Sequence, residues 1–181
     1  IDFGKNIVLP LKRGRETMFK QILAGLEVID TDIVYFCEHD VIYHPSHFDF
    51  IPPKDDLFYY NNNVWKWDYQ RHKALHFECN QVSGLSCYTK FAVEHYRRRI
   101  KAIEERGYTN LMGYEPGAHK REQRVDDTWH ETYMSAKPNV DIIHGANLTP
   151  ARWDKEQFRR KDFLKNWQRA SEVPFWPHLK D

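Results

Sequence analysis

The triplet Glu38-His39-Asp40 ends the apolar run Ile33-Val34-Tyr35-Phe36-Cys37, so two carboxylates one residue apart stand where a buried segment stops. If the strand continues through the triplet, alternate side chains share a face, which puts Glu38 and Asp40 together and His39 opposite. Two carboxylates on one face make a hard-cation site. Mg²⁺ or Mn²⁺ needs few protein ligands there, because water and phosphate oxygens complete the shell. The competing reading is a pair of solvated acids at a strand end. A second acidic pair, Asp126-Asp127, precedes Thr128-Trp129. It suits either a general base with its neighbour or acids capping a helix start. Lys12, Arg13 and Arg15 precede or open a helix, where they and free backbone N–H groups can meet a diphosphate or be merely solvated. Trp65, Trp67 and Tyr69 offer rings for stacking on a sugar, with core packing as the other use for at least one of them.

These residues need elements to position them. Apolar residues at Met18, Phe19, Ile22, Leu23, Leu26 and Ile29 have the three-and-four spacing of a helix with one buried face, over 14–29. The run 33–37 then reads as a strand buried on both faces, and a helix feeding such a strand implies a layered α/β sheet. In open α/β sheets ligands sit beyond the carboxyl ends of the strands, where Glu38-His39-Asp40 falls if that strand is central and parallel. Further strands are expected over 57–60 and 63–67, antiparallel or at an edge, with an extended stretch over 75–81. A helix is expected over 89–106, stopped by Gly107, with Arg97-Arg98-Arg99 as a solvated face. Beyond a polar loop over 108–124, a short helix is expected over 126–136, a strand over 140–143 ending at His144, and a tail helix over 154–170.

The chain has 181 residues, 41% of them hydrophobic, which fits one domain with a sizeable core, 1–181, whose part 152–181 is a helical extension. Its 27 basic and 26 acidic side chains leave a net charge of +1, so charge names no polyanionic partner and no nucleic acid is expected. No apolar run approaches the ~18 residues of a membrane span. Cys37, Cys79 and Cys87 lack any CxxC pairing and read as reduced thiols, which favours a cytoplasmic setting. Aromatic residues at 15% and 10 histidines supply many groups able to stack on rings or bind metal.

The helix, the apolar strand and Glu38-His39-Asp40 together resemble the centre of the GT-A-fold, family-2-like glycosyltransferases of bacterial or phage type, whose Asp-x-Asp motif corresponds to this triplet. The likeness continues at His144-Gly145-Ala146-Asn147-Leu148-Thr149 and Arg152-Trp153, and covers roughly residues 4–174. It implies a GT-A-like, Rossmann-like mixed sheet flanked by helices, without the first βαβ part of the family pattern. It further implies metal ligation by Asp40, Glu38 and His144, with Mn²⁺ or Mg²⁺ as cofactor. An imidazole beside carboxylates tilts that choice toward Mn²⁺. Asp127, with Asp126 beside it, matches the base of inverting members. Lys12, Arg13, Arg15 and His39 fall on the donor diphosphate side, and Trp65, Trp67 and Gly84 on the acceptor side, Gly84 through close backbone approach to substrate. The expected reaction is transfer of a sugar from a nucleoside-diphosphate sugar to a carbohydrate or other hydroxyl acceptor, with inversion. Two other functions fit the same residues: a metal-dependent phosphoesterase or nuclease using His44, His47 and His144, and a non-catalytic carbohydrate-binding module on a glycosyltransferase-like fold.

Overall fold

The computed structural model describes residues 4–108, 115–118, 128–144, 151–158, 161 and 164–180. It is a mixed α/β protein with helices α1 (Arg15–Leu26) and α2 (Thr89–Arg106). The strands are β1 (Ile33–Tyr35), β2 (Val41–Ile42), β3 (Leu57–Asn61), β4 (Val64–Asp68), β5 (Lys73–His76), β6 (Leu85–Tyr88), β7 (Trp129–Tyr133), β8 (Asn139–Ile143) and β9 (Gln168–Ala170). They form two sheets where the sequence suggests one, a four-stranded sheet in the order β1-β6-β3-β7 and a five-stranded sheet in the order β2-β8-β4-β5-β9. The chain divides into two compact units, the first made of 1–34, 52–58 and 86–131, the second of 35–51, 59–85 and 132–181.

In the first unit α1 buries Phe19 and Leu26 and leaves Met18 exposed. Phe19 meets Tyr96 of α2 at a centroid distance of 6.2 Å, and the Arg99 guanidinium lies 4.8 Å over the Phe19 ring. The arginine run is therefore not one solvated face. Consecutive helical residues turn by about 100°, so three of them span more than half the circumference. Arg97 points outward to Glu27 at 2.6 Å, whereas Arg99 is 2% exposed and inside. The helix α2 ends as its sequence demands: Gly107 takes φ 76° and donates its N–H to the Ile103 carbonyl at 2.8 Å.

The second unit is built on the five-stranded sheet. The pair β4 and β8 is parallel, whereas β2 with β8, β4 with β5, and β5 with β9 are antiparallel. Trp65, Trp67, Ala74 and Val140 lie on one face and pack with Val173, joined by Ile142, Ala170, Trp176 and Leu179. Trp176 also donates its indole N–H to the Pro138 carbonyl at 2.8 Å. β4 is thus a central strand, not an edge strand, which accounts for its near-complete burial.

Three expected elements come out differently. β1 stops at Tyr35, stands at one end of its sheet order and is only half-buried, so it is not a doubly covered central strand. The helix expected over 126–136 is strand β7 from Trp129 to Tyr133, where aromatic and β-branched side chains favour an extended chain. The tail helix over 154–170 is a 3₁₀ turn at Lys155–Gln157 and then β9, which pairs Ala170 with Ala74 and Gln168 with His76. The Asp154 and Gln157 capping box starts a helical turn, and the open side of β5 captures the chain afterwards.

Candidate metal centre

All the residues of this centre lie in the second unit. After Tyr35 the chain runs irregularly through Cys37 and Glu38, turns at His39 and Asp40, and enters β2. β2 is held against β8 with Val41 opposite Asp141 and Ile42 opposite Val140. The Ile142 N–H donates to the Asp40 carbonyl at 2.8 Å, extending that register by one step. A chain leaving β8 at Ile143 must therefore pass the turn that carries His39 and Asp40. His144 is the next residue.

Asp40 Oδ2 and His144 Nε2 are 3.4 Å apart, with side chains 20% and 30% exposed. One ligand atom from each of His39, Asp40 and His144 lies within 4.8 Å of the others. That spacing lets three donors share one cation, and the partial exposure leaves room for further ligands from solvent or substrate. The expected partnership of Asp40 with His144 is present. His39, expected on the donor side, joins the cluster, and Glu38, expected as a ligand, is not among its three members. The alternation argument fails here because strand geometry has ended before the triplet, and a turn brings neighbours to one side where a strand would separate them.

Glu38 is nonetheless close to the cluster electrostatically. Partial burial pushes its carboxyl above the usual carboxylate range, and the charges of Asp40 and Asp141 push it further, against a hydrogen bond from Ser83. Asp141 is likewise held up, first by burial and also by Asp40, while Lys66 and a hydrogen bond from Gln81 oppose the shift. Gln81 Nε2 donates to Asp141 Oδ2 at 3.2 Å. Acids crowded so that ionisation costs free energy are stabilised by a cation placed between them. The turn itself is tied down by Tyr43, whose hydroxyl accepts the Glu38 N–H at 2.9 Å and donates to the Ser83 carbonyl at 2.9 Å.

No protein-family model, curated protein or solved structure matches this chain.

The donor set must speak for itself. Two imidazoles and one carboxylate are softer than the expected set of two carboxylates and one imidazole, and that set suits Mn²⁺ or another transition ion better than Mg²⁺. The other expected residues are elsewhere. Lys12, Arg13 and Arg15 are exposed at the start of α1 in the first unit, where Arg15 Nη1 donates to the Tyr108 hydroxyl at 2.6 Å. Asp126 and Asp127 lie outside the described residues.

Trp65 and Trp67 are core side chains; Trp67, 1% exposed, has no face left for a sugar. A central strand whose neighbours lie on both sides buries its large apolar rings. Gly84 is needed for a close approach, but to this chain's own backbone: a Cβ there would lie 2.9 Å from the Asn61 carbonyl oxygen. His47 is fully buried, with Asn61 Nδ2 2.9 Å and Asn139 Nδ2 3.2 Å from its Nδ1, and serves the interior. His44 Nδ1 accepts from the Ser46 N–H at 3.1 Å. Sequence reasoning missed Asp141, Tyr43 and Lys66. A charge inside an apolar strand was the available signal for Asp141 and Lys66. Nothing local marks Tyr43.

Proposed function

We propose that this chain is the metal-bearing part of a glycosyltransferase, acting on a nucleoside-diphosphate sugar with His39, Asp40 and His144 around Mn²⁺. The observation that supports the reading is the convergence of Asp40 and His144 to 3.4 Å, since these are the two positions at which the resemblance to GT-A enzymes asks for ligands. A divalent cation held there supplies Lewis-acid stabilisation for a departing diphosphate. Asp40 anchors the site with charge, His144 shares its carboxylate side, and Glu38 and Asp141 deepen the negative field that attracts the ion. Asp127 is the proposed base that takes the acceptor proton, with Asp126 as its neighbour.

The deciding experiment incubates the protein with UDP- and GDP-sugars and Mn²⁺ and measures transferred sugar. Asp40→Ala should reduce metal-dependent transfer at least a hundredfold; unchanged turnover in that variant would sink the assignment. A second reading is favoured by the second imidazole: two histidines with one carboxylate also suit a metal that activates water, as in a phosphoesterase. Phosphate release without sugar transfer would decide for it.

A further inference from the structure

Three rings of the second unit meet in a triangle. Phe77 stacks on Trp167 with centroids 5.3 Å apart and meets Phe158 edge-on at 5.2 Å, and Phe158 meets Trp167 edge-on at 5.8 Å. Every ring carries a cation over its face. Lys66 Nζ is 5.3 Å from the Phe77 centroid, the Arg152 guanidinium 5.3 Å from that of Phe158, and Lys155 and Arg169 each 5.7 Å from that of Trp167. The negative face of a ring holds a cation at such a distance without neutralising it. The rings therefore act as a platform that orients charge. With these faces taken, a ligand would be recognised by charge and not by stacking.

The nearby acids are already engaged. Asp154 takes Arg169 at 2.6 Å, Glu156 takes Lys161 at 3.9 Å, and Glu78 accepts from Asn166 Nδ2. Among the described residues, Lys66, Arg152 and Lys155 form no salt bridge. Among those residues Arg152 and Lys155 have no carboxylate partner, whereas Lys66 stands opposite Asp141 on the neighbouring strand and interacts with its charge. In a chain of net charge +1 the two exposed cations and Lys66 make a local concentration of positive charge.

The sheet register connects this patch with the metal centre. Val41 is opposite Asp141, Asp141 opposite Lys66, Lys66 opposite Leu75, and Leu75 opposite Arg169. Cross-strand partners share a face, so one row crosses the sheet from the residue after Asp40 to the cations. At about 4.8 Å per strand, Lys66 stands roughly 10 Å from β2 and Arg169 roughly 19 Å. The row is covered at Val41 and Leu75, which are 9% and 1% exposed, so it sets the spacing between the cations and the candidate metal centre and is not itself a binding track.

The geometry points to a second binding site, in which Lys66, Arg152 and Lys155, held over Phe77, Phe158 and Trp167, bind the acid groups of an anionic saccharide acceptor whose reacting hydroxyl lies at the metal centre. The acceptor class rests on the glycosyltransferase reading; the anion site rests on the patch alone. Phosphate and carboxylate groups share the required chemistry.

Isothermal titration calorimetry on the metal-free chain at low ionic strength tests it, with tetragalacturonate as the carboxylated probe, inorganic tripolyphosphate as the phosphate probe and maltotetraose as the neutral control. Saturable binding of one anion or both is expected, with none for maltotetraose, and the tighter anion identifies the acid group. The exposed double variant Arg152→Glu/Lys155→Glu should weaken anion binding tenfold or more while keeping the parent circular dichroism spectrum. Asp40→Ala should bind the anion as the parent does. The site is overturned if neither anion binds, if maltotetraose binds as well as the anions, or if the double variant binds like the parent. Tighter anion binding in Asp40→Ala would also overturn it, by placing the anion beside that carboxylate at the metal centre. Anion binding as expected, together with an absence of sugar transfer from any UDP- or GDP-sugar, would remove the acceptor role and the glycosyltransferase reading while the anion site stands.

Discussion

His47 shows how a chemically capable residue can be spent on structure. Burial lowers its pKa to about 4, and two side-chain amides lie on its Nδ1, where a second proton would have to go. Its folded value lies below the ordinary histidine value of about 6.5, so the unfolded chain binds more protons between those limits. The stabilising contribution is complete above the ordinary value and is lost as pH falls toward 4. Urea unfolding should therefore show a loss on the order of 2 kcal/mol between pH 7 and pH 4.5 from this group. His47→Asn, which keeps an acceptor near the Nδ1 position, should flatten that dependence; an unchanged slope would show that other groups cause it. In the sequence His44, His47 and His144 look alike as ligands. Only His144 leaves a strand that is paired beside the carboxylate turn, and that pairing is a long-range fact.

Elements were legible where local pattern and burial agree. α2 combines an apolar face with a terminal glycine, and both its ends fall where the sequence puts them. The residues of β7 and β9 tolerate either state, and pairing with a distant strand decides between them. The 3₁₀ turn Val82–Gly84 shows a constraint of the same long-range kind, because Gly84 faces the backbone of Asn61 at the end of β3. Gly84→Ala places a methyl group 2.9 Å from the Asn61 carbonyl oxygen and 3.5 Å from its nitrogen. Both neighbours are backbone and cannot rotate away. We expect a loss of about 1–3 kcal/mol in chemical denaturation, the usual range for overpacking. The variant should bind Mn²⁺ as the parent does at temperatures where it is folded. A neutral effect on stability would mean that the turn can shift.

For the molecule as a whole, charge balance conceals local imbalance: Glu38, Asp40 and Asp141 gather at the candidate metal centre and four cations at the ring triangle, and the totals cancel. The folded carboxyls of Glu38 and Asp141 have values raised above the unfolded ones, so their contribution is fully favourable below the ordinary carboxylate range and is lost as pH rises through the raised values. At neutral pH the protein bears that cost, and a cation held at the proposed centre would relieve it. Mn²⁺ at a hundredfold excess over its Kd should stabilise the protein by about 2.7 kcal/mol, or roughly 5–10 °C in Tm, with a chelator reversing the gain. The gain should shrink toward pH 4, and His144→Ala should abolish it; an equal gain in that variant would exclude this centre. No helix among the described residues is long and apolar enough to cross a membrane. By itself, the sequence determined the acidic boundary after an apolar run, the helix α2 with its glycine stop, the strands around Tyr59, Trp65 and Val140, and Asp40 with His144 as candidate partners. These are local patterns of burial and chemistry, carried by neighbours along the chain. Only tertiary structure decided that the β-structure splits into two sheets, that Trp67 and His47 belong to the interior, that His39 and not Glu38 completes the cluster with Asp40 and His144, and that Lys66 lines up with Asp141. Each of these depends on the register between strands far apart in sequence, and a one-residue change of register would exchange which side chains meet.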